Sequence, residues 1–553
     1  MLNKVDVWGL YFLLIMVYGA GLFIPLMEND SAQHATMAMR MYVENDFWNI
    51  YKGTSDYLDK PQVHFWLAAL SFKLFGLHDW AYRIPALLFT IIGAFSANKL
   101  AVYFYGNRAK HIAALVFLSA QAVILSNHDV RTDAVLTGAT MLAICYFVMY
   151  LDSGKWSALL LGFLGTAIGF GTKGQLAVFV CGVVLLVHVI YQRKWKHVFS
   201  YKLLVGLMAY AIFISPVLYA YYIQFDLHPE KVIKGQTHVS GVKFILWDQS
   251  FNRLNATGHK ANNQDYLFFF HTLLWAFLPW AVLVYYGFFV QIKNAIQYRF
   301  KKNKGFELIS SLGVLLVLLV ISTSKFKLPH YLNSLFPLMA VLVAGQLVRL
   351  EKKERLALYW KRFQVGLMLV LIALVFFVSF WTFPLDNLVL VLGILVLFLV
   401  AVFLFFKAEI KNSVRTLLVC SVAGMAIINF VMNTQFYPNL LQYQSGIPAS
   451  KIIKEHKVPA HNLYLQEGQW CWSLNFYAGN ILPTLAVDRV ADKLQPGQWM
   501  YVNEKGYKQL KAAGVSWSKI YPLDHYRITM LKLKFLNPKT RSEKLSKRYL
   551  IVK

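Results

Sequence analysis

The sequence predicts an α-helical polytopic membrane protein with a small α/β domain at its C-terminal end. Three observations lead there. Hydrophobic residues make up 58% of the 553 residues and charged ones only 15%, against about 25% charged in soluble domains. Apolar runs long enough to cross roughly 30 Å of hydrocarbon recur through the first 430 residues. Beyond them the pattern changes to short alternating stretches punctuated by Pro and Gly. A mean hydropathy of +0.47, 16% aromatic residues and no glycine period exclude disordered and collagen-like chains.

The first apolar run, 7–27, has no basic leader and passes straight into an acidic loop, so it reads as a retained helix rather than a cleaved signal. Further spans are predicted near 84–104, 110–127, 134–151, 156–172, 174–191, 203–223, 266–290, 307–323, 329–348, 363–382, 386–406 and 413–432, about thirteen in all. The formal charge is +28. In a soluble protein that would suggest nucleic acid, but here the basic residues collect in alternate loops. They are Arg108 and Lys110; Arg193, Lys194 and Lys196; Lys293, Arg299, Lys301, Lys302 and Lys304; Arg349, Lys352, Lys353, Arg355, Lys361 and Arg362; and Lys407, Lys411 and Arg415. With thirteen spans and a cytoplasmic N-terminus all of them face the cytoplasm, as the positive-inside rule requires, and no nucleic-acid partner is needed.

The outer side then receives three long segments: 28–83, 224–265 and the C-terminal region 433–553. The first two belong to a transmembrane domain, 1–432. The amphipathic stretch 61–76 is short for a span and reads as an interfacial helix. In the C-terminal region, strand patterns at 462–465, 498–502 and 549–552 and a helical piece near 504–513 predict an extracytoplasmic α/β domain. Cys145, Cys181 and Cys420 lie in apolar runs and only Cys471 in a polar stretch; there is no CxxC pair and no disulfide framework.

Charged residues at outer helix ends are costly near a bilayer and mark candidate chemistry. Glu28-Asn29-Asp30 follows the first span and is either a solvated acidic loop or a carboxylate at the mouth of a cavity, able to take a proton from a hydroxyl. In Tyr57-Leu58-Asp59-Lys60-Pro61, Asp59 reads as a cap for the next helix and Lys60 as either exposed or a phosphate contact. His64 follows one turn on. His128 to Asp133 packs Asp129, Arg131 and Asp133 into a short connector, with Asp133 as helix cap or functional acid. Arg253 sits in the second long loop. In Ser324-Lys325-Phe326-Lys327-Leu328-Pro329-His330-Tyr331, Lys325 and Lys327 break the positive-inside trend, and phosphate is their natural partner. No Walker A, GxGxxG after a strand or HExxH occurs, and the Gly-rich turn 169–174 lies on the side without nucleotide.

In order and placement these segments resemble the C-type integral-membrane glycosyltransferases that use polyprenyl-phosphate sugars, closest to the protein O-mannosyltransferase and lipid A aminoarabinose transferase branches. ENDSAQHATMAMRM at 28–41 is similar to the acidic first-loop motif, with Asp30 at the essential aspartate, Ser31 where a second acid is usual and Gln33 where an arginine is often found. YLDKP at 57–61 resembles the acid-Lys-Pro motif, RTDAVL at 131–136 the loop carrying Asp133, GTKG at 171–174 a turn with Lys173, NRL at 252–254 the loop arginine, SKFKLPHYL at 324–332 the Lys-x-Lys-Leu-Pro-x-Tyr motif with Tyr331, and SLNFYAG at 473–479 a C-terminal segment. There is no WWD triplet, as oligosaccharyltransferases have.

The resemblance implies transfer of a sugar from an undecaprenyl-type phosphate donor to a lipid A-like, other glycolipid or protein hydroxyl at the outer face of a bacterial inner membrane, with inversion. Asp30 would be the general base. Lys60, Arg253, Lys325 and Lys327 would hold the donor phosphate, Asp133 would position sugar or acceptor, and Asp59, Arg131, Lys173 and Tyr331 would line the site. The chemistry requires no cofactor; a divalent metal would fall to Asp59 or His64 at most. The alternative is a polyprenyl-lipid transporter or flippase, for which ionisable groups at mid-membrane and on both faces would be expected.

Overall fold

The computed structural model describes residues 2–249, 265–301, 305–385, 387–407 and 412–553. The chain starts with helix α1 (Lys4–Leu22), whose first turn is closed by reciprocal bonds: the Asp6 N–H donates to Asn3 Oδ1 at 2.8 Å and the Asn3 N–H to Asp6 Oδ2 at 3.0 Å. The Asp6 carboxylate also accepts both Nε (2.7 Å) and Nη2 (2.9 Å) of Arg415, and both side chains are buried. This bidentate pair joins the start of α1 to the start of Ser413–Leu441, the last apolar helix before the C-terminal sheet.

Helices stand at every one of the thirteen predicted stretches. Among the described residues, eight are long and apolar enough singly to cross a membrane, and a pair bent by 55°, Asn107–Leu118 with Gln121–His128, makes a ninth. The stretch predicted at 266–290 is broken into Phe268–Ala276 and Ala281–Gln297, with Pro279 between them. Proline cannot supply the N–H that would carry one helix through.

The helices that carry the polar residues are α4 (Asp79–Tyr105), α5 (Ile112–Leu118), α6 (Gln121–His128), α7 (Asp133–Ser153) and α8 (Trp156–Lys173), numbered after α2 (Asp30–Val43) and α3 (Val63–Phe75) of the first loop. Two of them approach unusually closely. A Cβ at Gly165 of α8 would sit 2.8 Å from both Ala139 O and Ala143 N of α7, so only glycine permits this contact. It brings the C-terminal end of α8 beside the N-terminal end of α7.

The predicted interfacial helix is α3. The first loop holds a second helix, α2, that hydropathy did not single out. Ala35, Met39, Phe65 and Phe72 of these two helices share one buried cluster with Trp472 and Phe476 of the C-terminal region. The first loop is therefore packed between the membrane helices and the C-terminal unit. Asp59 does not cap α3: the helix begins at Val63, Gln62 makes no side-chain capping bond, and the Asp59 carboxylate pairs instead with Lys234 at 2.6 Å.

The C-terminal region forms a five-stranded sheet from β3 (Leu463–Gln466), β4 (Thr484–Leu485), β5 (Trp499–Asn503), β6 (Lys519–His525) and β7 (Ser546–Val552), after a small ribbon of β1 (Tyr51–Lys52) and β2 (Ser55–Asp56) in the first loop. The order is β4-β3-β5-β7-β6, parallel across β4, β3 and β5 and antiparallel beyond. Along β5, Trp499 and Tyr501 enter the cluster on one face, with Ala449, Ile453 and Leu474. Met500 and Val502 enter the cluster on the other, with Leu510. Helices thus cover both faces, which suits a partly parallel sheet. The sequence pattern found β3, β5, β7 and the helix Glu504–Ala512 but neither β4 nor β6. Pro522 reads there as a breaker, yet β6 is an edge strand, the place in a sheet where proline is tolerated.

Candidate active site

Asp133 opens α7 and Lys173 closes α8, so the close α7–α8 contact delivers an acid and a base to one level. Lys173 Nζ lies 2.5 Å from Asp133 Oδ1, both side chains are buried, and the ammonium sits 4.8 Å from the centre of the Tyr331 ring. Asp133 is thus an ion-pair partner rather than a helix cap; Thr132 holds the N-cap position without a side-chain bond.

Arg131, two residues before Asp133, bridges two more carboxylates. Its Nη1 is 3.0 Å from Asp30 Oδ2 and its Nη2 is 3.0 Å from Asp129 Oδ2. Burial works against the Arg131 charge, but Asp129, Asp30 and Asp133 outweigh it and raise its pKa. Burial raises the Asp129 carboxyl, with Arg131 opposing. A cleft of about 270 Å³ is lined by Asp129, Arg131, Asp133, Trp275, His330 and Asn333 among others. Asp30 stands beside it, half exposed, on the first residue of α2. Lys60 is within electrostatic reach of Asp133 and of His34 on α2. Burial, then the His64, Lys60 and Arg131 charges, hold His34 well below the usual imidazole range.

The structure therefore draws Asp30, Lys60, Arg131, Asp133, Lys173 and Tyr331 around one region. Other predicted residues lie apart. Lys325 is exposed, whereas Lys327 is only 6% exposed and faces the Tyr266 ring at 5.5 Å; neither lines the cleft. Asp59 is turned to Lys234. His64 is buried, with Nε2 3.2 Å from the Tyr82 hydroxyl, and burial pushes its pKa down to about 4. Arg253 lies outside the described residues. Among the described residues no three His, Cys, Asp or Glu side chains converge as a metal site would need.

Sequence reasoning passed over several residues. His330 and Asn333 line the cleft from the segment after Pro329, and the Pro-His-Tyr step inside a charged motif was their only signal. Arg83 is fully buried; its Nε donates to His128 O at 3.0 Å and its Nη1 to Leu22 O at 2.9 Å, pinning the C-terminal ends of α1 and α6. An arginine just ahead of an apolar run was the clue. Glu28 was noticed only as part of an acidic motif. Its Oε1 accepts the N–H (2.7 Å) and hydroxyl (2.8 Å) of Ser473 at the start of the short helix Trp472–Ala478, within the SLNFYAG segment. Burial pushes the Glu28 carboxyl up to about 7 despite those bonds.

Residues 59–219 match the dolichyl-phosphate-mannose-protein mannosyltransferase family. Undecaprenyl phosphate-alpha-4-amino-4-deoxy-L-arabinose arabinosyl transferases are similar in sequence. That of Pseudomonas paraeruginosa is 25% identical over 65% of this chain and 62% of its own length. One from Proteus mirabilis is 25% identical over 63% of this chain and 60% of its own. The chain thus spans about three-fifths of the length of the curated relatives it matches. The crystal structure of ArnT from Cupriavidus metallidurans bound to undecaprenyl phosphate superposes with a TM-score of 0.73 at 17% identity, covering 99% of this chain and 97% of that one. The chain shares the fold of that ArnT structure. The resemblance read from the motifs holds in family match, relatives and fold alike, and so does the helical membrane architecture with its small C-terminal sheet unit.

Proposed function

We propose that this integral membrane protein transfers a glycosyl group from a polyprenyl-phosphate sugar to an acceptor hydroxyl at the outer face of the membrane. The observation that carries the proposal is the convergence of Asp30, Arg131, Asp133 and Lys60 beside one cleft at the outer helix ends. The relatives named for an undecaprenyl-phosphate aminoarabinose donor, and the similar structure bound to undecaprenyl phosphate, support this class of donor. Nucleotide sugars are confined to the cytoplasm, whereas a lipid carrier reaches the outer leaflet.

In this reading the acceptor oxygen attacks the anomeric carbon from the face opposite the phosphate. The bond from that carbon to the phosphate oxygen breaks, and polyprenyl phosphate leaves with the electron pair, so the configuration inverts. Asp30, half exposed and held by Arg131, takes the acceptor proton. Lys60, beside the cleft, neutralises the phosphate as charge develops on it, usually the largest electrostatic contribution to such a step; Lys325 and Lys327, which lie outside the cleft, and Arg253 would join it on a donor whose phosphate extends past the cleft. Asp133, locked by Lys173, orients sugar or acceptor, and Arg131 and Tyr331 complete the lining. The acceptor is a lipid A-like glycolipid or a protein. The N-terminus and the basic loops face the cytoplasm of a bacterial inner membrane and the sheet unit faces the periplasm.

The test is to incubate the purified protein with a panel of polyprenyl-phosphate sugars and acceptors and to follow release of polyprenyl phosphate. Release coupled to glycosylation of the acceptor is the expected result. Movement of intact donor between leaflets without release would replace the transfer reading by transport.

A further inference from the structure

The end of the helix bundle opposite the active-site cleft holds a cavity of its own. Helix α7 runs from Asp133, beside that cleft, to Ser153. At 1.5 Å per residue that is about 30 Å, one hydrocarbon thickness. Asp152, in the last turn of α7, lines a cavity of about 570 Å³ together with Tyr105 at the end of α4, Lys194, Phe306 and Arg349. The cavity therefore lies at the headgroup level of the other leaflet.

Its lining leaves one charge uncancelled. Lys194 Nζ pairs with Asp152 Oδ1 at 2.6 Å. Arg349, in the last turn of the helix Phe336–Leu350, sets its guanidinium 5.9 Å from the centre of the Tyr105 ring and 5.6 Å from that of Phe306. The Tyr105 ring lies against Gly345, one turn earlier on the same helix, where a Cβ would collide with it. The buried Glu307 carboxylate accepts from the Tyr105 hydroxyl at 2.6 Å and the Ser310 N–H at 2.9 Å, and it does not line the cavity. A cation in the last turn of a helix is expected from the helix dipole alone, and Arg349 Nη2 does reach Gly305 O at 3.4 Å. That role does not use the whole side chain. Arg349 Nη1 is buried and has no hydrogen-bond partner among the described residues. A buried guanidinium N–H without an acceptor is costly, and a phosphate oxygen is the acceptor that its planar fork fits best.

An apolar track leads from the bilayer to the same place. Ile91, Phe95 and Tyr103 stand on one face of α4 and are 52%, 60% and 41% exposed. Tyr103 also lines the cavity. An acyl chain laid along this track ends with its headgroup beside Arg349, an approach that a soluble anion has no use for.

We propose that this cavity binds the headgroup of an anionic glycerophospholipid of that leaflet, with its phosphate on Arg349 and an acyl chain along α4. Basic pockets between transmembrane helices take such headgroups. One uncancelled cation matches the single charge of a phosphodiester, and glycerophospholipids are the phosphates that the leaflet supplies in quantity. The bound lipid ties the end of α4 to the helix Phe336–Leu350. The proposal stands apart from the transfer reading and does not depend on it.

The experiment titrates the full-length protein, stripped of lipid in detergent, and counts bound molecules by native mass spectrometry. The probes are phosphatidylglycerol, phosphatidylethanolamine, polyprenyl phosphate and the water-soluble headgroup glycerophosphoglycerol. Phosphatidylglycerol is expected to bind about tenfold or more tightly than phosphatidylethanolamine, whose ammonium cancels its charge. Arg349→Gln should lose about tenfold in affinity for phosphatidylglycerol and bring the two lipids level. Arg349→Lys, which keeps the charge and loses the fork, should lie between, and it serves if Arg349→Gln does not fold. Lys352→Gln removes an exposed charge three residues on that does not line the cavity, and should change nothing. Phosphatidylglycerol should also raise the Tm of the wild type more than that of Arg349→Gln, since a ligand of the folded state stabilises it. Equal binding of the two glycerophospholipids, unchanged binding in both Arg349 variants, or an equal loss in Lys352→Gln overturns the proposal. Binding of glycerophosphoglycerol as tight as that of the lipid replaces it by a soluble-anion site. Arg349-dependent binding of polyprenyl phosphate tighter than that of phosphatidylglycerol replaces it by a carrier site on the second leaflet.

Discussion

Glu28 offers the sharpest test of how the C-terminal unit is joined to the acidic loop. Its carboxyl is raised from 4.5 to about 7 because it lies in the seam between the first loop and the helix Trp472–Ala478. The folded protein therefore binds that proton more tightly than the unfolded chain does. The contribution of the protonated group to stability is fully present below pH 4.5, is lost as pH rises toward 7, and is gone above it. A rise from 4.5 to about 7 corresponds to about 3 kcal/mol over that window. Glu28→Gln keeps the shape and the carbonyl that Ser473 bonds, but cannot ionise. Thermal unfolding of wild type and variant in the same detergent, compared from pH 4.5 to 8, cancels every other titrating group. The variant should gain on the wild type by about 3 kcal/mol across the window and run parallel above pH 7. A difference that stays flat would mean that Glu28 is solvated and does not fasten the seam, and the reasoning from burial would fail.

Other expectations follow from the cleft. Asp30→Asn should lower transfer by about 10²- to 10⁴-fold, the worth of a positioned base, while insertion and donor binding persist in a membrane-flotation and lipid-binding assay. Lys60→Ala should raise the donor KM about tenfold or more and leave the acceptor KM nearly unmoved, as loss of a charged hydrogen bond to phosphate predicts; equal effects on both would place Lys60 elsewhere. Lys173→Met should destabilise the protein by about 3–5 kcal/mol by stranding a buried carboxylate, and adding Asp133→Asn should recover much of it. A double-mutant cycle on thermal stability measures that coupling.

Much of the architecture could be read without coordinates. A span needs a run of apolar residues, a local property, so all thirteen predicted stretches carry helices. The alternating loops of Lys and Arg are local too. So are the buried strands β3, β5 and β7, and the charged helix ends that marked Asp30, Lys60 and Asp133. What the pattern could not supply were partners. Whether Asp133 caps its helix or pairs with Lys173 depends on how closely α7 meets α8, and that rests on Gly165 meeting the backbone of Ala139 and Ala143. Asp59 looked like a cap and turned out to face Lys234 in another loop, because α3 starts later than Pro61 suggests. Helix α2 and strand β6 were missed for a related reason. The first is stabilised by burial against α3 and the C-terminal unit, and the second is tolerated, proline included, only because it lies at a sheet edge. Sequence by itself determined the elements and the residue types at their ends, since insertion and periodicity act over one turn or one span. Tertiary structure alone decided which charge meets which and which cavity each acid borders, since those distances are set by packing among segments far apart along the chain.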